Sequence, residues 1–111
     1  MVFRVTDKIV VFSTCGDESE AKRVSHHLVS ERVAACVTIV PGAASVYRWK
    51  GKVEESQEWV LIIKSSRAAF PKLQEELQRV HSYQVPEVVA IPVVDGSPSY
   101  LEWLDREIEL Q

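Results

Sequence analysis

The stretch that most constrains this fold is a long run of strand-forming residues at positions 34–64. β-Branched, aromatic and aliphatic side chains favour the pleated surface of a strand. Those in the run are Val37, Ile39, Val40, Val46, Tyr47, Trp49, Val53, Trp59 and the segment 60–63. Lys50 and Gly51 interrupt the run, and a two-residue turn there needs the positive φ that glycine adopts without steric cost. The run therefore predicts one very long β-hairpin.

This hairpin is too long for a single compact body. A strand over residues 34–49 would be roughly 50 Å long at about 3.3 Å per residue. A compact domain of this chain length has a diameter of roughly 35 Å. Pro41 and Gly42 offer a bend, because proline cannot donate to a central ladder and glycine admits a bulge. We therefore expect the outer half of the hairpin to leave the body.

The two-residue turn also fixes the hairpin register. It places Trp49 opposite Lys52 and Tyr47 opposite Glu54, so each face of the ribbon mixes large apolar groups with charges. A free two-stranded ribbon of this kind is only marginally stable in water. We therefore predict a homo-oligomer in which another copy covers the ribbon. The alternative is a hairpin that curls back over its own helices.

Around the hairpin, hydrophobic periodicity predicts two further strands and three helices. They cover residues 8–15 (strand), 17–32 (helix), 70–81 (helix) and 88–94 (strand), followed by a terminal helix capped by Ser97. The order is strand, helix, strand, strand, helix, strand and an extra helix. This βαββαβ order predicts a ferredoxin-like α+β sandwich, a split βαβ arrangement with both helices on one sheet face and the first strand beside the third. The 111 residues are expected to form one domain.

End signals refine these elements. Asp17 followed by Glu20 predicts a capping box at the first helix. Pro71 suits the first turn of the second helix, and Pro92 within the last strand implies a sheet edge or a bulge. The inner stripe of the first helix is predicted to be Ala21, Val24 and Leu28, with Val29 as a further candidate.

Composition excludes some partners. A net charge of −3 and a pI near 5.6 argue against nucleic acid or an anionic membrane, which need a concentrated basic face. No apolar run is long enough for a transmembrane helix, and Asp7 and Lys8 interrupt any N-terminal leader. Cys15 and Cys36 lack a paired spacing, so free thiols in a reduced compartment are expected. These observations predict a cytoplasmic protein.

The thiols and imidazoles are the candidate metal ligands, because these groups suit copper and zinc. His26 and His27 point about 100° apart on a helix, so joint chelation of one ion is not expected. Cys36 and His81 can act together only if tertiary structure brings them together. A free cysteine in such a context is more often a small buried hydrophobic residue than a ligand.

Nucleophilic catalysis finds little support. The corner at residues 13–16 could expose the Cys15 thiol to a helix N-terminus, which lowers a thiol pKa. Asp17, Glu18 and Glu20 add negative charge to that terminus, and no glycine-rich phosphate loop occurs. The sequence therefore does not predict an enzyme.

Large aromatic residues are frequent on the hairpin and beyond it. On a projecting ribbon they more often anchor a subunit interface than a ligand. The polar and aromatic segment 81–87 is a connection of the kind that often carries function, and it includes Tyr83 and Glu87. The predicted interface and inter-subunit cleft residues are Tyr47, Trp49, Trp59, Tyr83, Glu87 and Trp103.

Several runs together resemble a known family. Residues 32–37 lead into 40–43 and 45–54, and residues 81–88 and 99–104 follow in order. These motifs resemble the signature of the CutA divalent-cation tolerance family, and they extend over nearly the whole chain. The resemblance implies a small, very stable cytosolic homotrimer that is locked by the long hairpins and associated with tolerance to copper and other divalent metals.

The resemblance also implies a metal site of thiol and imidazole ligands in some bacterial members. By position, Cys36 and His81 match ligands of that set. Ser13 and Val80 stand where a second thiol and a second histidine can occur, so a weaker site is expected, with Cys15 as a substitute thiol. Copper or another divalent cation is the expected ligand, and no cofactor is obligatory.

Two other functions stay open. The trimer also resembles PII signalling proteins, which suggests small-ligand sensing at clefts between subunits. Plant and animal relatives act as partner or anchoring factors, which suggests an interaction scaffold.

Overall fold

The computed structural model describes residues 6–108, which form three helices and four strands. In chain order the elements are β1 Lys8–Cys15, α1 Glu18–Ser30, β2 Cys36–Trp49, β3 Lys52–Ser66, α2 Phe70–Val80, β4 Val89–Pro92 and α3 Pro98–Glu107. The predicted order of elements is therefore confirmed. None of the helices formed by these residues has the length and hydrophobicity that crossing a bilayer requires.

In the described part of the chain, four strands form one antiparallel sheet in the order β2-β3-β1-β4. β1 lies beside β3, as predicted, and this is the ferredoxin-like arrangement. β4 is an edge strand that contains Pro92, so the edge prediction is confirmed. The predicted strand over residues 88–94 is longer than β4, which covers Val89 to Pro92, although the Val93 N–H still bonds to the Lys8 carbonyl oxygen at 3.0 Å.

The core lies between one face of the sheet and the helices α1 and α2. Alternate residues of β1 and β3 pack there against the inner stripes of both helices. Fully buried members include Val11, Val24, Leu28, Leu61, Ile63, Leu73 and Leu77. Val29 is wrong as a stripe residue, since it is 40% exposed and lies about 100° around the helix from Leu28.

The structure confirms only part of each of two predicted helix N-caps. The Asp17 carboxylate accepts a hydrogen bond from the Glu20 N–H at 2.7 Å, as predicted. The Glu20 side chain does not return to Asp17 but accepts from the Ser82 N–H at 3.2 Å. Ser97 occupies the N-cap of α3 without a side-chain hydrogen bond, and the helix begins with the Leu101 N–H bonded to the Ser97 carbonyl.

The hairpin has the predicted turn and register. Lys50 and Gly51 have φ values of 50° and 81°, the left-handed pair that a two-residue turn requires. Trp49 pairs with Lys52 and Tyr47 with Glu54, as expected. The sequence therefore specifies this element from the turn outward.

A bulge bends the hairpin at the predicted position. Val40 pairs with Val60 and Ala43 with Glu58, so two residues of β2 face one residue of β3. The glycine in this bulge, Gly42, has a φ of 78°. Proline and glycine at this point thus separate an inner half of the hairpin, within the sheet, from an outer half.

The outer half of the hairpin projects from the body. The molecule measures 45 × 35 × 23 Å, so its long axis exceeds the diameter expected of a compact domain of this length. Val46 and Val53 near the tip are 67% and 66% exposed. The alternative of a hairpin packed over its own helices is therefore wrong.

Candidate functional site

The imidazole of His81 is held at both nitrogens. It follows α2 directly, and its side chain is fully buried against the end of β1. Nδ1 accepts a hydrogen bond from the Tyr83 N–H at 3.0 Å, and Nε2 lies 2.7 Å from the Thr14 carbonyl oxygen. Since a carbonyl only accepts, Nε2 carries the proton in this arrangement. His81 is thus a neutral ring with no free lone pair.

Cys15 and Glu20 lie against this ring. The Cys15 Sγ is 3.7 Å from the His81 Nε2, and the Glu20 Oε1 is 3.8 Å from Nδ1. Burial, aided by the charge of Glu20, raises the pKa of the Cys15 thiol to about 12. The thiol therefore stays protonated at neutral pH. We call Cys15, Glu20 and His81 the His81 cluster.

The His81 cluster contains the residue types of a metal site, but they are not in the protonation and hydrogen-bonding state that a metal requires. One ligating atom from each residue lies within 4.8 Å of the others, and thiolate with imidazole suits copper or zinc. A metal needs a thiolate and a free imidazole lone pair. The thiol holds its proton and both ring nitrogens are hydrogen-bonded. The residues therefore do not fit a resident metal ion.

The structure does not bring Cys36 to His81 within one chain. Cys36 pairs with Lys64, which pairs with Val10, five residues along β1 from Cys15. Its neighbour Val37 packs against the core, so by alternation Cys36 lies on the opposite sheet face from the His81 cluster. Within one chain, Cys15 is therefore the thiol beside His81, and a joint Cys36 and His81 site stays a prediction.

His26 and His27 have different surroundings. His26 is exposed, whereas the His27 Nε2 lies 2.7 Å from the Glu76 carboxylate. Hydrogen bonds from Arg79 and His27 lower the pKa of Glu76 to about 2. Glu31 lies beside this group, but the Arg79 guanidinium is 2.7 Å from Glu76 and already neutralises it. These residues form an ion-pair network between the helices.

A cavity of about 520 Å³ lies between the hairpin and the segment 83–87. Four of the six predicted interface residues line it: Tyr47, Trp49, Tyr83 and Glu87. The other two lie elsewhere, since Trp59 packs against the main core and Trp103 against a small cluster that includes α3. The structure therefore brings hairpin aromatics and the 83–87 segment to one place within a single chain.

Glu58 is a cavity residue that the sequence did not reveal. It is only 6% exposed, and its carboxylate accepts a 2.8 Å hydrogen bond from the Tyr83 hydroxyl. Burial, with this bond, raises the pKa of Tyr83. The one available signal was an acidic residue directly before the apolar run of β3, opposite the bulge.

Gly16 makes room for the Tyr83 ring. A Cβ at this position would lie 3.0 Å from the Tyr83 hydroxyl oxygen, a contact so tight that the Tyr83 ring would have to shift by a few tenths of an ångström. The backbone N–H of Tyr83 is bonded to His81, and the two rings lie 4.6 Å apart. Tyr83 is therefore held at its ring, its backbone and its hydroxyl, between the His81 cluster and the cavity.

Comparison with known proteins decides the family. The family model of the CutA1 divalent ion tolerance protein matches residues 9–107. The chain belongs to the CutA1 family. The resemblance carried by the hairpin and the 81–88 motif is thereby confirmed.

Individual relatives agree in sequence and in fold. The divalent-cation tolerance protein CutA of Thermus thermophilus is 50% identical over 95 residues, which are 86% of this chain and 92% of that protein. The mouse protein CutA is 43% identical over 98 residues, or 88% of this chain, yet the chain spans only 55% of the mouse protein. The crystal structure of CutA from Xylella fastidiosa has a TM-score of 0.91 and 44% identity, covering 94% of this chain and 100% of that one.

Proposed function

We propose that the chain serves divalent-cation tolerance as a non-catalytic homotrimer in which the outer hairpins of three copies cover one another. The observation that carries this proposal is the projecting ribbon. Val46 and Val53 are 67% and 66% exposed on it, an apolar surface that water does not stabilise. The family link supplies the role in tolerance, and the trimer follows from the CutA resemblance.

Sheet edges support the same assembly. β2 is an edge strand, so its outer backbone groups are unpaired within the described residues. Long unprotected edges are templates for pairing with another chain. Covering the ribbon with sister copies satisfies those groups and removes the exposed valines from water.

Light scattering on the purified chain tests the assembly. We expect a particle of three times the 12.6 kDa chain mass. Val46→Lys together with Val53→Lys should shift the particle toward monomer, because these substitutions place charge in the proposed contact. Val29→Lys on the exposed side of α1 is the matched control and should leave the mass unchanged. A wild-type particle of one chain mass would contradict the proposal.

Copper or another divalent cation is proposed as a reversible ligand and not as a resident cofactor. Binding at Cys15 and His81 requires loss of the thiol proton and of one imidazole hydrogen bond, so affinity should be weak and should rise with pH. Isothermal titration with Cu(II) and Zn(II) tests this. Cys15→Ser and His81→Ala should abolish the heat, and Cys36→Ser should not. Heat lost only in Cys36→Ser would contradict the assignment to Cys15.

A cytoplasmic location is proposed from the free thiols. Cys15 is buried and Cys36 half-buried, and they are not joined in a disulfide. Free thiols persist in reducing compartments. Cell fractionation of the native host protein is the test, and recovery outside the cytoplasm would contradict this location.

Small-ligand sensing is the second candidate function, and the cavity favours it. Its volume of about 520 Å³ falls in the range of small-molecule sites, and its walls combine aromatic rings with a few polar groups. Mass spectrometry of the native particle tests for a retained small molecule. Only protein masses, in preparations from several expression hosts, would count against this candidate.

A further inference from the structure

We infer that the cavity beside Tyr83 binds an organic ammonium cation. This inference rests on the second candidate function and names its ligand class. Two carboxylate side chains, Glu58 and Glu87, line the cavity, and no lysine, arginine or histidine does. Across residues 6–108, neither carboxylate forms an ion pair with a basic side chain. The cavity therefore carries negative charge without a counterion from residues 6–108.

Aromatic rings supply the second element of recognition. Tyr47, Trp49 and Tyr83 all line the cavity, and aromatic faces attract cations through their quadrupole. Rings with carboxylates fit a ligand that has both an apolar surface and a positive charge. They disfavour phosphates and carboxylates, which would meet like charge.

A bare metal ion fits this cavity poorly. A metal requires several ligand atoms converging on one point at about 2.0–2.6 Å. Within the described chain, Glu58 and Glu87 belong to no group of three closely spaced ligating atoms. The cavity is also far larger than one ion, at about 520 Å³. Its dimensions suit an alkylammonium or quaternary ammonium group with its carbon substituents.

The wall that carries Glu58 is fixed before any ligand arrives. Tyr83 donates its hydroxyl to Glu58, its backbone N–H is bonded to His81, and Gly16 leaves space for its ring. Groups that are already ordered lose little entropy on binding. The buried carboxylate of Glu58 is thus oriented by the protein.

Choline and the uncharged dimethylbutanol of the same shape are the matched probes. Isothermal titration into the full-length protein, at neutral pH and physiological ionic strength, should give about fivefold tighter binding of choline, since a cation–π contact at a partly exposed site supplies a preference of this size. Equal binding of both probes would overturn the inference. So would preferential binding of adenosine monophosphate, an anion.

Variants locate the binding. Glu87→Gln and Trp49→Leu change exposed side chains, and each should weaken choline binding about fivefold. Glu102→Gln, an exposed carboxylate on α3, is the control and should have no effect. Choline affinity that is unchanged in both cavity variants would overturn the inference. A basic side chain of a second copy that already filled the cavity would abolish choline binding and overturn it too.

Light scattering on the same sample separates this inference from the assembly. A trimer that does not bind choline would support the proposed assembly and contradict the inferred cation site. Choline bound by a particle of one chain mass supports the cation and contradicts the trimer.

Discussion

The two sides of Tyr83 differ in what they leave open to a ligand. On one side, the His81 cluster contains a thiol, an imidazole and a carboxylate, yet the thiol keeps its proton and both imidazole nitrogens are hydrogen-bonded. On the other side, the cavity holds carboxylates without basic partners among the described residues. Ligand types alone therefore do not make a site. Unused binding capacity facing open space is what a ligand requires.

Removing the imidazole is the strongest way to test the closed side. His81→Ala leaves the Thr14 carbonyl and the Tyr83 N–H unpaired and opens a void, so the free energy of unfolding should fall by about 2–4 kcal/mol. Denaturant unfolding at matched protein concentration measures this. His26→Ala, an exposed neighbour on α1, is the control and should cost less than about 0.5 kcal/mol. Equal, small effects in both variants would show that the cluster does not hold the structure together.

Crowding Tyr83 should affect both sides at once. Gly16→Ala places a methyl group 3.0 Å from the Tyr83 hydroxyl. We therefore expect the free energy of unfolding to fall by about 1 kcal/mol and choline to bind more weakly. Gly96→Ala is the matched control, because its Cβ meets Leu101 at a similar 3.1 Å, away from the cavity. Choline affinity reduced equally by both substitutions would mean that Tyr83 does not organise the cavity.

The network of Glu76 with Arg79 and His27 is another closed polar cluster, and it makes a pH prediction. The hydrogen bond from Arg79, with that from His27, lowers the Glu76 pKa from its ordinary 4.5 to about 2. A lowered carboxyl pKa stabilises the fold above pH 4.5, and this contribution is lost as pH falls toward 2. The difference in free energy of unfolding between wild type and Glu76→Gln, here called the stability gap, should therefore shrink as pH falls from 4.5 toward 2.

Thermal unfolding across the acid range measures that gap. Glu75→Gln on the same helix is the matched control, because Glu75 is exposed and lies 3.9 Å from Lys72. Its effect on stability should be small throughout. A Glu76→Gln gap that stays constant from neutral pH to pH 2 would contradict the assigned cause.

Thiol labelling gives the smallest effect and distinguishes the two cysteines. Cys15 is fully buried with a raised pKa, whereas Cys36 is half-buried on the other sheet face. An aromatic disulfide reagent should leave Cys15 unmodified in the native protein and modify it only after unfolding. Cys36→Ser should remove any native labelling. Rapid native labelling that persists in Cys36→Ser would show that the His81 cluster is open.

The hairpin was predictable from sequence because its determinants are local. Lys50 and Gly51 set the turn, the two-residue side-chain period carries the register outward, and Pro41 with Gly42 sets the bulge. The Asp17 cap is equally local. Such features depend on residues within a few positions of one another, so pattern reasoning identifies them.

The site depended on distant contacts that no short pattern records. His81 meets Cys15 across 66 positions, and Tyr83 meets Glu58 across 25. The choice between Cys15 and Cys36 rests on which sheet face each occupies. That assignment needs two registers, that of β1 against β3 and that of β2 against β3. The hairpin turn fixes only the register of β2 against β3.

Nuclear magnetic resonance of the imidazole and indole nitrogens during a choline titration distinguishes the two sides of Tyr83. We predict that His81 shows the neutral ring with the proton on Nε2 and keeps its shifts throughout, while the Trp49 indole resonance moves with choline concentration. Movement of the His81 nitrogens with a stationary Trp49 signal would contradict the account, because the closed and the open side would then be reversed.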